Sequence, residues 1–333
     1  MVQAGATTRA VVARDYGSPE HVGIETLPVR APGKDEVLVA VKVAGVSFVD
    51  VLITAGRYQL KPPLPYTPGT ECAGVVEAVG EGVTHVKPGD RVMAGGFGGC
   101  FAERGVFAAS FVRPIPGGMS FDDGSIFRVS YTTAYYALVN RGQVAAGETV
   151  LVLGAAGAVG AASVQLAKAL GARVIASASS EAKRSLALTC GADHAVDSGA
   201  GDWRDQIKAL TEGKGVNVVV DPVGGSATEP AFRSLAWKGR HLVIGFAQGG
   251  IPALPTNLAL LKGASLVGVD IRQFGIYEAS TYAENVQTLF RLYGEGKLKP
   301  AIGARFPFEQ YEEAMRVAEI GATAGRVLIE IAR

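Results

Sequence analysis

The sequence predicts an α/β protein of two domains, one rich in β-strands and one built on a doubly wound parallel sheet. The chain has 333 residues, which is longer than a single hydrophobic core usually supports. Its first third consists of short β-type runs separated by Gly/Pro turns, whereas strand and helix patterns alternate after about residue 125. At the start of that alternation, Thr149–Gly160 reads as a strand that turns through glycine into a helix.

In the first third, the second predicted strand is the clearest, because Val37, Val39, Val41 and Val43 alternate with other residues. Short strands with Gly/Pro turns are typical of a small barrel or sandwich. The Pro/Gly-rich stretch 110–124 indicates a domain boundary. The predicted strands are 9–14, 36–46, 73–79, 90–94 and 101–108.

After residue 125, a helix is predicted over 130–141, and a βαβ alternation follows it. Its strands are apolar on both sides, as in Val218–Val220, which is expected for a sheet covered on both faces. The predicted strands are 149–153, 173–176, 194–196, 216–220, 240–246 and 265–269. The predicted helices between them are 159–170, 181–189, 202–211, 228–235 and 257–261. The tail adds helices near 281–294 and 309–319 and a strand over 326–331.

The turn TVLVLGAAGAVG indicates a phosphate-binding site. Measured against the dinucleotide fingerprint G-x-G-x-x-G, the chain has Ala155, Gly157 and Gly160 at the three glycine positions. Gly157 would let a pyrophosphate approach the backbone, and Gly160 would let helix and strand pack closely. The unpaired N–H groups and the positive end of the helix dipole favour an anion there, so Gly157, Ala158 and Val159 are candidate cofactor-binding residues.

The residues after the second strand of this unit favour NADPH over NADH. An acidic residue usually holds the adenine ribose there in NAD-binding proteins, but this chain has Ala178 at that place. Ser179 and Ser180 offer hydroxyl groups, and Lys183 and Arg184 offer positive charge one turn later. A 2′-phosphate would meet donors and no repelling anion. The alternative is that Lys183 and Arg184 belong to an ordinary solvated helix face.

Composition excludes several other classes of protein. The 32 basic and 31 acidic residues leave a net charge of +1 without a tract of like charge, so neither nucleic acid nor an anionic membrane is expected as a partner. No apolar run reaches the roughly 18 residues that span a bilayer, and the N-terminus lacks a signal-peptide core. Cys72, Cys100 and Cys190 are far apart in sequence, which suits a reducing cytoplasm.

Taken together and in order, nine short motifs resemble the zinc-free quinone oxidoreductase family of the medium-chain dehydrogenase/reductase superfamily. The resemblance runs nearly end to end and implies a GroES-like β-barrel catalytic domain, formed by residues 1–125 and 268–333. It further implies a Rossmann domain over residues 126–267, an active site in the cleft between the domains, and a homodimer. The motifs are Gly45–Asp50, Gly56–Tyr58, Pro68–Glu71, Gly74–Val76, Lys87–Val92, Tyr131–Tyr135, Gly154–Gly160, Asp221–Gly225 and Gly245–Gly249.

The resemblance also implies roles for single residues. Tyr58 matches a tyrosine placed to donate a proton to the substrate in related enoyl-thioester reductases; packing at the domain edge is the alternative. Ser47 takes the place of an asparagine near the nicotinamide ribose, and Thr133 matches a residue that lines the nicotinamide pocket. Phe246 and Gln248 lie in a loop like the one that holds the nicotinamide through its backbone. For Asp221, which ends a strand at the same edge, an N-cap or turn role is equally consistent.

No metal is expected at the site. Zinc-dependent relatives carry a cysteine near position 47 and a His-Glu pair at the place of Thr70–Glu71, and the four-cysteine structural lobe is missing as well. Ser47 and Thr70 are poor zinc ligands. Quinones and conjugated carbonyls therefore become the expected substrates, because hydrogen-bond donors can stabilise the oxygen anion that hydride addition creates.

We therefore expect a cytoplasmic, homodimeric NADPH-dependent quinone oxidoreductase that takes a quinone or conjugated carbonyl as its small-molecule substrate. Two alternatives remain open from the sequence. One is an NADPH-dependent enal, enone or enoyl-thioester reductase. The other, of a different class, is a low-turnover NADPH-binding protein with a structural or regulatory role.

Overall fold

The computed structural model describes residues 5–17 and 22–332. The strands are β1 (Thr7–Ala13), β2 (Val22–Pro28), β3 (Glu36–Val46), β4 (Glu71–Val79), β5 (Arg91–Gly95), β6 (Arg104–Ala108), β7 (Arg113–Pro114), β8 (Thr149–Leu153), β9 (Arg173–Ala178), β10 (His194–Asp197), β11 (Val216–Asp221), β12 (Leu235–Val243), β13 (Ser265–Gly268), β14 (Ile302–Pro307) and β15 (Arg326–Glu330). The α-helices are α1 (Phe48–Thr54), α2 (Phe121–Tyr135), α3 (Ala158–Ala169), α4 (Glu181–Thr189), α5 (Trp203–Leu210), α6 (Thr228–Arg233), α7 (Asn257–Lys262), α8 (Ile271–Tyr277), α9 (Ala279–Gly294) and α10 (Tyr311–Glu319).

Backbone contacts divide the chain into two compact units. The first unit consists of Met1–Arg128 and Ile302–Arg333, and the second of Val129–Ala301. The predicted boundaries lie elsewhere: residues 268–301 were expected in the catalytic domain and residues 126–128 in the Rossmann domain. Their backbone contacts group residues 268–301 with the second unit and residues 126–128 with the first.

The first unit is built on a seven-stranded sheet in the order β14-β15-β3-β4-β5-β7, with β6 pairing with β3 as well. β15 runs antiparallel to β3, with Val327 opposite Val46, so the last strand of the chain completes a sheet that begins near its start. β1 and β2 form a separate antiparallel pair. Val39, Phe101 and Ile329 are among the residues of the buried core.

The second unit is a six-stranded parallel sheet in the order β10-β9-β8-β11-β12-β13. Numbered from its own first strand, this is the order 3-2-1-4-5-6 of a doubly wound dinucleotide-binding sheet. Leu151, Val219 and Phe232 are fully buried in its core. The predicted parallel α/β domain is confirmed. Because all six strands are parallel, the ends of β8, β9, β11 and β12 meet at one edge, where such sheets bind ligands.

Several elements differ from the predictions. The helix predicted over 130–141 begins at Phe121, inside the stretch assigned to a boundary, and continues as a π-helix over Tyr136–Arg141. Gly124 lies inside this helix, and the space there favours glycine, because a Cβ would lie only 2.9 Å from Ile115 Cδ1. The helix predicted over 228–235 ends at Arg233, since β12 already begins at Leu235. β2, α1, β7, α8 and β14 were not predicted.

β13 lies at the edge of the parallel sheet and pairs with β12 alone among the described strands. Leu266 at its centre is 54% exposed. The homodimer implied by the family resemblance stays a prediction. Over residues 5–17 and 22–332, every helix is too short or too polar to cross a membrane.

Candidate cofactor-binding site

The turn from β8 to α3 leaves backbone donors open. Gly154 adopts a left-handed conformation with φ of +58°, and Gly157 N donates to Gly154 O at 2.9 Å. Gly157 is the N-cap of the twelve-residue helix α3, and no side chain caps that end. The first-turn N–H groups, including those of Ala158 and Val159, therefore point to an exposed place where the helix dipole favours an anion.

Gly160 and Gly157 have different roles in this turn. A Cβ on Gly160 would clash with the Gly154 carbonyl oxygen and would lie 2.9 Å from Ala155 Cα, so only glycine fits between helix and strand. A Cβ on Gly157 would meet only Gly154 O, at 3.2 Å. Gly157 is therefore not required for packing, which leaves close approach of a ligand as the reason for a glycine there. The turn fits a pyrophosphate.

β9 ends one strand away from this turn, in front of α4. Ala178 is buried, Ser179 is exposed, and Ser180 caps α4 by accepting a hydrogen bond from Lys183 N at 3.4 Å. Among the described residues, no carboxylate lies within 4 Å of Lys183 Nζ. A hydroxyl, a helix N-terminus and an unpaired ammonium group therefore lie together beyond the end of β9.

An acidic group is nevertheless present near this place, and the expectation of no repelling anion was wrong. Asp197 lies beside Ala178 on the neighbouring strand β10, and its carboxylate pairs with Arg184 at 2.9 Å. Its position near Ala178 could not be predicted from the sequence, because Asp197 lies 19 positions after Ala178 and reaches the site only through strand pairing. Since Arg184 is neutralised by this pair, Lys183 carries the positive charge that remains available.

At the end of β11, Asp221 is the centre of a buried hydrogen-bond cluster. Its carboxylate accepts from Val223 N at 2.9 Å, Gly224 N at 2.8 Å, Thr228 Oγ1 at 2.8 Å and His241 Nε2 at 2.9 Å. Burial opposes the charge of Asp221, but the His241, Gly224 and Thr228 hydrogen bonds outweigh it and hold the pKa of the carboxyl below its usual value. Of the roles left open for Asp221, the structure shows that of a turn acceptor.

The Asp221 turn supports the loop that contains Phe246 and Gln248. Gln248 N donates to Val223 O at 2.9 Å, and its side-chain oxygen accepts from Ser226 N at 3.1 Å. The Phe246 ring is 39% exposed. A Cβ on Gly224 would lie 2.8 Å from Phe246 Cδ1, so the two loops are in close contact. The structure thus brings Gly157, Ala158, Val159, Ser179, Lys183, Phe246 and Gln248 to the carboxyl edge of one sheet.

The remaining predicted residues occupy other places. Thr133 is buried on α2. Tyr58 follows α1 in the first unit, partly buried against its core, and its hydroxyl has no hydrogen-bond partner within the described part of the chain. Ser47 is the N-cap of α1, where it forms a capping box with Asp50.

Asp50 is a buried acid that the sequence analysis missed. Its Oδ2 accepts from Ser47 N and from Ser47 Oγ, both at 2.7 Å, and the side chain is 1% exposed. Ser47 Oγ also lies 3.4 Å from Thr70 Oγ1. Burial raises the pKa of Asp50 to about 6, although hydrogen bonds from Ser47 and Thr70 and the charge of Arg326 favour the ionised form. The pattern Ser-x-x-Asp at a helix start was the available signal.

The raised pKa of Asp50 predicts a pH-dependent stability. Between about pH 4 and pH 6 the folded protein keeps a proton on Asp50 that the unfolded chain has lost, so the free energy of unfolding falls as pH rises. Relative to Asp50→Asn, the wild type should lose about 2.4 kcal/mol between pH 4 and pH 7. Urea unfolding of both proteins across this range measures the difference, and a pH-independent difference would contradict the assignment.

A second buried polar pair lies nearby in the first unit. Arg326 on β15 and Glu71 on β4 form an ion pair at 3.2 Å, and both are nearly inaccessible to solvent. In the described part of the chain, no group of three or more His, Cys, Asp or Glu residues is arranged to hold a metal ion.

Comparison with known proteins identifies the class. Residues 33–117 match the alcohol dehydrogenase GroES-like domain family, and residues 158–290 match the zinc-binding dehydrogenase family. The chain is 37% identical to quinone oxidoreductase-like protein 2 of Rattus norvegicus over 324 residues, which cover 97% of this chain and 92% of the relative. It is 33% identical to the quinone oxidoreductase of Homo sapiens over 325 residues, covering 96% and 97% of the two chains.

Solved structures agree with this class but differ in activity. A mycobacterial protein complexed with NADPH superposes with a TM-score of 0.90 at 29% identity, over 97% of this chain and all of that one. An NAD-dependent alcohol dehydrogenase superposes with a TM-score of 0.88 at 32% identity, over 97% of this chain and 100% of that one. The CurK enoyl reductase superposes with a TM-score of 0.87 at 26% identity, over 98% of this chain and 99% of that one.

The fold and its paired domains are those of a medium-chain dehydrogenase/reductase with a site for a nicotinamide cofactor. Within that superfamily, this chain belongs to the quinone oxidoreductase family.

Proposed function

We propose that this protein is an NADPH-dependent reductase that delivers hydride to a quinone without the help of a metal. The observation that carries the cofactor choice is the end of β9, where Ala178 takes the place of the usual acid and is followed by Ser179 and the unpaired Lys183. The one carboxylate described beside Ala178, that of Asp197, is paired with Arg184. The curated relatives of 33–37% identity, which are named as quinone oxidoreductases or like them, support the substrate class. Ser47 and Thr70 support a metal-free site, because hydroxyl groups are poor ligands for zinc.

Each part of the proposed cofactor site has a separate task. The N–H groups of Gly157, Ala158 and Val159 would bind the pyrophosphate, and Lys183 with Ser179 would bind the 2′-phosphate. The Phe246–Gln248 loop, supported by the Asp221 turn, and the buried Thr133 would shape the nicotinamide pocket. NADPH supplies the hydride when it is bound.

Tyr58 is the proposed proton donor. Hydride addition to a quinone or a conjugated carbonyl builds negative charge on the substrate oxygen, and a phenol hydroxyl can stabilise that charge and then protonate it. The Tyr58 hydroxyl, which has no partner in the described part of the protein, is available for this task. Ser47 is committed to the capping box of α1, so we propose that any contact it makes with the cofactor is secondary.

Lys183→Ala should weaken NADPH binding at least tenfold and leave NADH binding nearly unchanged, because only NADPH carries the 2′-phosphate that Lys183 would bind. A charge-assisted hydrogen bond of about 1.5–3 kcal/mol corresponds to this loss. Titration of both dinucleotides by fluorescence measures it. Lys299→Ala removes an exposed lysine of the same unit and serves as the control. Equal weakening of NADPH and NADH would refute the NADPH assignment.

Tyr58→Phe should lower kcat about 100-fold while the melting temperature and the KM for NADPH stay unchanged. The assay is NADPH consumption with quinones, 2-alkenals and enoyl thioesters, which also ranks the substrate classes. Tyr16→Phe is the control, since Tyr16 is a second half-buried tyrosine that packs against the same core. Unchanged kcat on every substrate would remove the proton-donor role.

The same assay decides between this proposal and its competitor, an enal, enone or enoyl-thioester reductase. That competitor is supported by the structural similarity to the CurK enoyl reductase. The highest kcat/KM on an enoyl thioester or 2-alkenal would replace the quinone proposal. Tight NADPH binding without turnover of any acceptor would instead favour a regulatory or structural NADPH-binding protein.

A further inference from the structure

The second unit contains a cavity at the edge of the sheet opposite the cofactor turn. Its volume is about 380 Å³, within the range of small-molecule sites. Val216 and Leu235 begin β11 and β12 there, whereas Asp221 and Val243 end these strands at the cofactor edge. β11 alone separates the two edges by about 17 Å. The cavity is therefore distinct from the proposed dinucleotide site.

The walls of this cavity are strongly basic. Five cationic side chains and a single acidic one, Asp205, line it. Two of the cations are neutralised by acids, Lys214 by Glu212 at 2.9 Å and Arg233 by Glu229 at 2.6 Å. Within the described residues, the other three have no carboxylate within 4 Å. They are Arg204, Lys208 and Lys262.

Lys262 is held in place although like charges surround it. Its Nζ donates to Leu235 O at 2.6 Å, which fixes the ammonium group at the cavity wall. Burial, and then the charges of Arg204 and Arg233, lower the pKa of Lys262. Charges of one sign that converge on a partly buried site repel each other, and a bound anion relieves that repulsion.

An aromatic surface lies beside these cations. Trp237 lines the same cavity and is 67% exposed. Its ring packs over Gly263, the residue after Lys262, so closely that a Cβ there would lie 3.2–3.3 Å from three ring carbons. Much of the indole remains accessible, and it lines the same cavity as Lys262. Nucleic-acid bases stack on such rings, with a contribution of about 1–3 kcal/mol for each base.

We propose that this cavity binds a nucleoside phosphate, with the phosphates on Arg204, Lys208 and Lys262 and the base on Trp237. Phosphate suits the cations because charge-assisted hydrogen bonds to its oxygens are strong, and arginine can form them in pairs. The planar base would use the exposed tryptophan that lies in the same cavity as these cations. The proposal concerns a second site and does not depend on which substrate the enzyme reduces.

ADP and inorganic pyrophosphate are the probes for this site. Each is titrated by calorimetry into full-length protein that carries one molar equivalent of NADPH, at a protein concentration above the NADPH dissociation constant. The dinucleotide site is then filled, and little free NADPH competes. We expect one equivalent of ADP to bind. The double variant Arg204→Gln with Lys208→Gln should weaken the binding of both ADP and pyrophosphate at least tenfold. The Trp237→Leu variant should weaken the binding of ADP at least fivefold and that of pyrophosphate less than twofold.

The matched control is Lys297→Gln with Lys299→Gln, which removes the same charge from exposed positions of the same unit outside the cavity. ADP binding should change less than twofold in this control, and the melting temperatures of both double variants should match the wild type. The proposal is overturned if ADP does not bind the NADPH-loaded protein or if both double variants lose binding equally. Tighter binding of a single-stranded oligonucleotide than of ADP, lost in the cavity variant, would also overturn it in favour of nucleic acid.

Discussion

Gly160→Ala should abolish measurable NADPH binding and destabilise the protein by about 3 kcal/mol. The added methyl group would overlap the Gly154 carbonyl oxygen and crowd Ala155 Cα, and both of these are backbone atoms that cannot rotate away. Helix α3 would have to move off β8, and its first-turn N–H groups would lose their common direction. Thermal unfolding and NADPH titration measure the two effects.

Gly157→Ala separates binding from folding at the same turn. Its methyl group would touch only Gly154 O, and its φ of −79° with ψ of 178° suits alanine, so the melting temperature should change little. NADPH affinity should nevertheless fall at least tenfold, because the methyl group occupies the space in which a pyrophosphate would approach the backbone. Normal NADPH binding by a folded Gly157→Ala protein would place the pyrophosphate elsewhere.

Asp221→Ala should lower the free energy of unfolding by about 3–5 kcal/mol, because it strips four hydrogen bonds from one buried cluster. The N–H groups of Val223 and Gly224, the Thr228 hydroxyl and His241 Nε2 would all lose their acceptor. His241 is fully buried and its Nδ1 has no partner among the described residues, so it could not find a new one without rearrangement.

The Asp221 change should also reach the cofactor. Val223 O accepts from Gln248 N, so a loosened turn frees the Phe246–Gln248 loop and should weaken NADPH binding. Asp221→Asn should recover part of the stability, since its amide oxygen can still accept from the backbone. Glu284→Ala removes an exposed carboxylate from α9 of the same unit and should leave stability and binding unchanged. A wild-type melting temperature for Asp221→Ala would show that the cluster adds nothing to stability.

The parallel sheet was largely predictable because each of its elements has a strong local pattern. β8 and α4 begin and end at the predicted residues. A run rich in β-branched residues marks β8, and Ser180, the N-cap, marks the start of α4. The start of β12 was missed because Phe232 and Leu235 have helical spacing, and the strand instead begins at Leu235 to pair with Val216. That choice depends on a neighbouring strand and not on local sequence.

The candidate site was predictable where it follows the chain and unpredictable where it depends on strand pairing. Gly157 and Lys183 lie in motifs that can be read in order. Asp197 and His241 lie in no such motif. Asp197 reaches the site because it pairs with Ala178 on the neighbouring strand, and His241 because it lies opposite Val219, on the strand next to that of Asp221. The Asp221–His241 pair can be predicted once the strand order is known. The signal is that two polar residues lie in adjacent buried strands and are two positions apart in register.

The pairing of β15 with β3 sets an order of events during synthesis. Val46 meets Val327, so 281 positions separate the partners. At roughly 5–20 residues per second, β3 leaves the ribosome about 15–55 s before β15 does. During that interval the Val43–Val46 segment of β3 presents an open edge on the nascent chain, and all six strands of the parallel sheet emerge before β15 does. Synthesis of the first unit thus begins before that of the second unit and is completed after it.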